Sequence, residues 1–295
     1  ILWQLLMLIK KIQPDIVHTW ILQMDIFGGI AAKISGVPWL FREPSSSMGY
    51  PVSWRSILRI RIASFASAIV ANSHGGEEYW AKSLPKSHRY IINNGLPLKE
   101  ILNAHKIFPP NLIDFSKPIV LYVGRLIPLK NLKSLLMALS LLKNKIDFFA
   151  VFCGDGEQKE ELEKLKADLD LDSNVFFAGH LNSSSVWSIM GKSSVFVSLS
   201  SYEGSPNTVL EAMSSDLPLV VSDIPAHREF LDERSAIFVD PYNTEQVADK
   251  ILSVLNGKDN VGRMIDCAKQ RASEWSVEKM AEKYESLYEE IRVKK

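Results

Sequence analysis

The chain is 295 residues long, more than one ordinary core accommodates, and 46% of it is apolar, so two folded domains fit. Its 34 Lys and Arg are balanced by 34 Asp and Glu, and no nucleic-acid partner is expected. The two cysteines, Cys153 and Cys267, lie far apart without metal-type spacing, which excludes a disulfide framework and points to a reducing, cytoplasmic compartment.

The first stretch, Ile1 to Ile9, is apolar but interrupted by Gln4 and followed by Lys10-Lys11. It falls short of the roughly 20 residues that span a bilayer and reads as a helix end leading into a strand at Asp15 to His18. Strand-like runs follow at Trp39 to Phe41, Ser67 to Ala71 and Tyr90 to Ile92. His18 closes the first of these strands, a usual place for a functional group in an α/β sheet, although a lone His is also often a core or capping residue. Asp25 and Arg42-Glu43 fall in strand-end loops and join it as candidates. Residues 1–107 hold 12 Lys or Arg against 6 Asp or Glu, a local charge of +6 that the remainder offsets with −6. A basic first half suits an acidic or lipid-phosphate partner at a membrane surface; an excess of Lys and Arg is equally an ordinary solvated face.

At Lys106 to Asn111 the paired Pro109 and Pro110 cannot sit in a helix interior, and they mark the predicted domain boundary. Beyond it come strand-like runs at Ile119 to Val123, Phe148 to Phe152, Val175 to Phe177, Val195 to Leu199 and Leu219 to Ser222, separated by helical patterns. Such alternation predicts parallel sheets covered by helices on both faces, hence an α/β fold. The predicted organisation is a first domain over 1–108, a second over 109–275 and a terminal amphipathic helix over 276–295, with Met280, Tyr284, Leu287, Tyr288 and Ile291 on its apolar side.

Two features of the second domain carry chemistry. After the strand ending at Val123, Gly124 and Arg125 are followed by Lys130, which sets two cations at the mouth of a strand-turn-helix unit, where a diphosphate would meet a forked guanidinium and a point-charge ammonium. The plain alternative is a pair of surface cations near Asp114 or Glu203. After the strand ending at Leu199, Glu203 lies in a loop and Glu211 stands eight positions on, inside a helix opened by Pro206, Asn207 and Thr208. The amides of a helix start favour an anion. Two carboxylates also admit a glycoside-hydrolase reading, disfavoured because the adjacent cations indicate a phosphate leaving group. Gly154-Asp155-Gly156 lacks the third glycine of a dinucleotide fingerprint, which disfavours a Rossmann oxidoreductase.

The segment Ser200-Ser201-Tyr202-Glu203-Gly204-Ser205-Pro206-Asn207-Thr208-Val209-Leu210-Glu211-Ala212-Met213 resembles the signature of the retaining glycosyltransferases of family 4. Leu121 to Leu126 with Lys130-Asn131, Phe152 to Gly156, Val175 to His180, Pro14 to His18, Ile69 to Ser73 and Ile92 to Gly95 resemble further pieces of that family, in order along nearly the whole chain. The resemblance implies a GT-B fold, two Rossmann-like domains with parallel sheets facing a central cleft, the first binding the acceptor and the second a nucleotide diphosphate sugar. It implies catalytic roles for Arg125, Lys130, Glu203 and His18, with Gly124, Gly204, Ser205, Pro206, Asn207, Thr208 and Glu211 binding the donor. Arg125 and Lys130 would hold the diphosphate, Glu203 the sugar hydroxyls and Glu211 the ribose, with no metal and no cofactor beyond the donor substrate. A lipid-linked or saccharide acceptor is expected, in cell-surface polysaccharide or glycolipid synthesis on the cytoplasmic side of a membrane.

Two departures from the family pattern stand out. Asp216 replaces the usual glycine after Glu211-Ala212-Met213, and Asp is one of the few other residues that accept a left-handed helix end. The chain also opens at Ile1 without the family's first strand and its Gly-rich loop, so an incomplete first domain and an inactive fragment are expected. A non-catalytic sugar-nucleotide binding subunit and a GT-B epimerase or phosphorylase remain as alternatives.

Overall fold

The computed structural model describes residues 1–43, 53–107, 113, 115–257 and 260–293. The Pro109-Pro110 pair and Asp114 therefore lie outside the described residues. The chain divides into two compact units, one formed by Ile1–Gly95 with Val277–Lys295 and one by Leu96–Ser276. This divide falls thirteen residues before the one predicted from the prolines. Leu96 explains it: its N–H donates to Trp275 O at 2.7 Å, and it is buried in the core of the second unit.

In the first unit four parallel strands, β1 (Val17–Thr19), β2 (Trp39–Glu43), β3 (Ala68–Ala71) and β4 (Arg89–Ile91), lie in that order. Successive side chains of a strand point to opposite faces, and both faces here are apolar. Trp39, Phe41 and Ile69 pack on one side with Ile26, Ile62 and Trp80 from helices. Leu40, Ala68 and Val70 pack on the other with Tyr284, Leu287 and Ile291 of the terminal helix Val277–Val293. Met280 and Tyr288 border that second cluster, so the predicted apolar stripe of this helix is the face it buries.

The second unit is a six-stranded parallel sheet of β5 (Ile119–Val123), β6 (Phe149–Cys153), β7 (Val175–Gly179), β8 (Val195–Ser198), β9 (Leu219–Ser222) and β10 (Ile237–Val239), in the order β10-β9-β8-β5-β6-β7. Alternation again sorts the strands between two clusters. Val120, Tyr122, Ala150, Phe152, Val195 and Val197 face one, while Ile119, Leu121, Val151, Cys153 and Phe196 face the other. Near-continuous apolar strands are what a parallel sheet covered on both sides requires. β10, at the sheet edge, was not anticipated. The order runs outward in both directions from the pair β5 and β8, which makes their shared end the topological switch point, where ligands of open α/β sheets bind.

Asp25 and Glu43 do not lie in strand-end loops. Asp25 sits in the first turn of the helix Leu22–Ser35 and Glu43 ends β2, and both are fully buried around Arg59. Arg59 donates from Nε to Asp25 Oδ2 and from Nη1 to Glu43 Oε2, each at 2.9 Å, and Trp80 Nε1 donates to the same Glu43 oxygen at 2.9 Å. Buried charges persist only when paired and hydrogen-bonded, so these carboxylates belong to the core of the first unit.

Candidate functional site

The loops that leave β5 and β8 converge at the switch point. After Val123 the chain passes Gly124 and Arg125 and makes a single 3-10 turn, Pro128–Lys130, closed by Asn131 in the left-handed region at φ 52°. After β8 it runs through Ser200 to Pro206 into the helix Asn207–Met213. Two bonds clip the loops together, since Ser201 donates to Leu129 O from its backbone N–H at 2.9 Å and from Oγ at 3.2 Å. On the other side the β6 loop braces the β5 loop, with Leu126 N–H donating to Asp155 O at 2.9 Å and Gln158 N–H to Leu126 O at 3.0 Å. Only glycine permits that approach. A Cβ on Gly154, whose φ is 143°, would stand 1.9 Å from Gly124 O, and one on Gly156 would stand 2.4 Å from Leu126 O. The Gly154-Asp155-Gly156 turn thus serves backbone-to-backbone packing beneath the site.

Lys130 and Glu203, 73 positions apart, meet as an ion pair with side chains only 16% and 13% exposed. Ser200 Oγ donates to the same carboxylate oxygen, Glu203 Oε1, at 2.7 Å. Behind Ser200 stands a buried group that sequence reasoning missed. Ser222 Oγ donates to Ser200 O at 2.5 Å, and His227 Nδ1 lies 2.8 Å from Ser222 O. A carbonyl oxygen only accepts, so Nδ1 carries the proton, and burial holds the His227 pKa below its ordinary value. The ring braces Ser222, whose hydroxyl in turn ties β9 to the β8 loop. The available signal was the run of serines at neighbouring strand ends, Ser198, Ser200 and Ser222, each buried where a hydroxyl needs a partner.

Arg125 is exposed and makes no ion pair among the described residues, while its carbonyl accepts from Tyr122 Oη at 2.9 Å. Gly204, Ser205, Pro206, Asn207 and Thr208 form the turn into the helix, with Asn207 N–H donating to Ser205 O and Leu210 N–H to Pro206 O, each at 3.0 Å. That helix has only seven residues, so its dipole is that of about two turns. Glu211 lies in its second turn, where burial pushes the carboxyl above its ordinary pKa. Asp216 adopts φ 56°, the left-handed conformation expected where the family has glycine. Among the described residues, no group of three His, Cys, Asp or Glu side chains is arranged to hold a metal ion, and no helix is long and apolar enough to cross a membrane.

His18 belongs to the first unit, in the middle of β1. Its Nδ1 is 2.8 Å from Tyr288 Oη, and Trp20 and Tyr284 flank the ring with centroids at 5.0 and 5.4 Å. Burial, with Arg42 nearby, lowers its pKa to about 4. Arg42 stacks on Trp20 at 4.3 Å and donates to Tyr284 Oη at 3.1 Å and to Asn94 Oδ1 at 2.5 Å. The backbone just beyond is strained, for the β-branched Ile21 sits at φ 131°.

The comparisons agree with this fold. A galactosyltransferase of Escherichia coli, described as UDP-Gal:alpha-D-GlcNAc-diphosphoundecaprenol alpha-1,3-galactosyltransferase, is 26% identical over 308 residues, covering 98% of this chain and 78% of that protein. The poly(ribitol-phosphate) alpha-N-acetylglucosaminyltransferase of Staphylococcus aureus is 28% identical over 213 residues, covering 70% of this chain but 42% of that longer protein. Among solved structures, Anabaena HepE in complex with UDP superposes with a TM-score of 0.86 at 17% identity, over 98% of this chain and 82% of that one, which identifies the fold as GT-B. Residues 103–271, more than half of the chain and nearly all of the second unit, match the family described as "Glycosyl transferases group 1". The chain therefore belongs to the glycosyl transferases of group 1.

Proposed function

We propose that this protein transfers a hexosyl group from a nucleotide diphosphate sugar to a hydroxyl acceptor with retention of the anomeric configuration, as family 4 glycosyltransferases do. The observation that carries the proposal is the convergence of Lys130 and Glu203 at the β5 and β8 switch point, with Arg125 exposed beside them. In this mechanism the diphosphate lies along the β5 loop, held by Arg125 and Lys130, with Gly124 leaving room for its approach. Gly204 to Thr208 line the sugar and phosphate, Glu203 accepts from sugar hydroxyls and Glu211 from the ribose. The bond from the anomeric carbon to the phosphate oxygen breaks, and a bond to the acceptor oxygen forms on the same face. The acceptor's proton passes to the departing phosphate, whose charge the two cations stabilise. Preorganised charge of this kind is usually the largest contribution to group transfer. Because those cations take the part a divalent ion plays at other phosphate sites, the mechanism invokes no metal. His18 acts near the reacting carbon.

The proposed acceptor is lipid-linked or a saccharide, and the proposed setting is cell-surface glycan assembly at the cytoplasmic face of a membrane. The names of the two relatives and the basic first half of the chain support this. Calorimetric titration with UDP, GDP and their hexose conjugates tests the donor site. Micromolar to millimolar binding that Arg125→Ala and Glu211→Ala abolish is expected, and a folded protein that binds none of them refutes the proposal.

A further inference from the structure

His18 is held by a residue 270 positions away, and the manner of holding decides what its ring can do. Besides the 2.8 Å contact from Nδ1 to Tyr288 Oη, rings surround it, Tyr288 itself in an edge-on arrangement with centroids 5.9 Å apart. Nε2 is buried and has no hydrogen-bond partner among the described residues. A neutral imidazole carries one N–H and one lone pair, and the bond made by one nitrogen selects the state of the other. Between a phenol and an imidazole nitrogen the phenol is the better donor, because its oxygen lone pair is delocalised into the ring. One turn earlier on the same helix Tyr284 Oη accepts from Arg42 Nε at 3.1 Å, so the two hydroxyls grip neighbouring groups with opposite polarity.

We propose that Tyr288 is a positioning residue for His18, donating its hydroxyl proton to Nδ1 and fixing the Nε2–H tautomer, so that the ring nitrogen turned away from Tyr288 carries a proton and not a basic lone pair. The functional half of this inference rests on the proposed role of His18 in glycosyl transfer; the tautomer does not. Long-range nitrogen–proton correlation spectra of imidazole-labelled protein report the state of each ring nitrogen directly. The wild type is expected to show a protonated Nε2 and an unprotonated Nδ1. Tyr288→Phe deletes only the hydroxyl and is expected to shift the ratio of tautomers by about tenfold, the factor set by one hydrogen bond of ordinary net strength. Tyr284→Phe, which leaves Nδ1 untouched, is expected to leave the ratio unchanged.

A protonated Nδ1 in the wild type, or an unchanged tautomer in Tyr288→Phe, overturns the proposal. Turnover of the sugar nucleotide, followed as release of nucleoside diphosphate, is expected to fall in Tyr288→Phe by the fraction of the Nε2–H tautomer lost, about twofold for a ratio that drops from about ten to about one, at nearly constant KM. If His18→Ala abolishes turnover while Tyr288→Phe lowers the Nε2–H fraction without lowering kcat in proportion, the positioning role is overturned. If instead His18→Ala retains full turnover while the tautomer shifts, Tyr288's hold on the ring is upheld and the catalytic role of His18 fails, so the two ideas are separable.

Discussion

Replacing Glu203 with Gln sets stability and ligand affinity in opposite directions. In the free protein Lys130 and Glu203 neutralise each other, and Ser200 adds a second donor to the same oxygen. With side chains 16% and 13% exposed, the pair is neither a screened surface contact nor fully dry. Two unit charges 4 Å apart interact by about 4 kcal/mol at an effective dielectric of 20, and partial hydration and the other costs of pairing reduce the net effect of losing one to about 1–2 kcal/mol of stability. A diphosphate arriving at Lys130 must displace or tolerate the Glu203 carboxylate. Removing that negative charge therefore strengthens binding of a nucleoside diphosphate without sugar by a similar energy, about five- to thirtyfold. The conjugate gains less, because the carboxylate proposed to accept from sugar hydroxyls has become an amide, and turnover falls. Thermal unfolding alongside calorimetric titration of UDP and GDP measures both. A Glu203→Gln protein that binds the nucleotide more weakly than the wild type, or that loses no stability, refutes the placement of the diphosphate at Lys130.

Gly154→Ala drives a Cβ to 1.9 Å from Gly124 O at a φ of 143°, and is expected to cost about 3 kcal/mol in urea unfolding and to weaken nucleotide binding by moving the β5 loop; a loss below about 0.5 kcal/mol would contradict the packing described. Arg59→Met leaves Asp25 and Glu43 buried without their shared cation, and a loss of about 3–5 kcal/mol in the same assay is expected. A neutral effect would mean that the carboxylates become protonated or solvated at little cost. His18 binds fewer protons folded than unfolded between its lowered pKa of about 4 and the ordinary 6.5, so its contribution is fully present above that upper value and is lost as the pH falls toward the lower one, by at most about 3 kcal/mol. Asp25, raised to about 6, acts in the opposite sense, its burden growing as the pH rises through that value. The His18 slope is accordingly read as the difference between wild type and His18→Phe across pH 4–7, and its absence there would show that the ring is not held neutral.

What the sequence determined by itself was the local periodicity and its chemistry. Nine strands were legible, the inner ones because both of their faces are buried, leaving runs such as Ile119 to Val123 with no polar interruption, and the loop chemistry after β5 and β8 was legible because cations, glycines and carboxylates cluster within a few residues of each strand end. The stripe of the terminal helix was legible for the same reason, as was the left-handed turn at Asp216. β10 was not. Asp25 and Glu43 read as candidates in strand-end loops because a carboxylate at a strand or helix end looks the same whether it faces a ligand or a buried guanidinium. Only the placement of Arg59 between them, 34 and 16 positions away, decided that. The pairing of Lys130 with Glu203, the His227 strut behind Ser200 and the grip of Tyr288 on His18 likewise needed the tertiary structure. Each joins residues on different elements, and a hydrogen bond between distant elements depends on how a sheet stacks its strands, which no local pattern records.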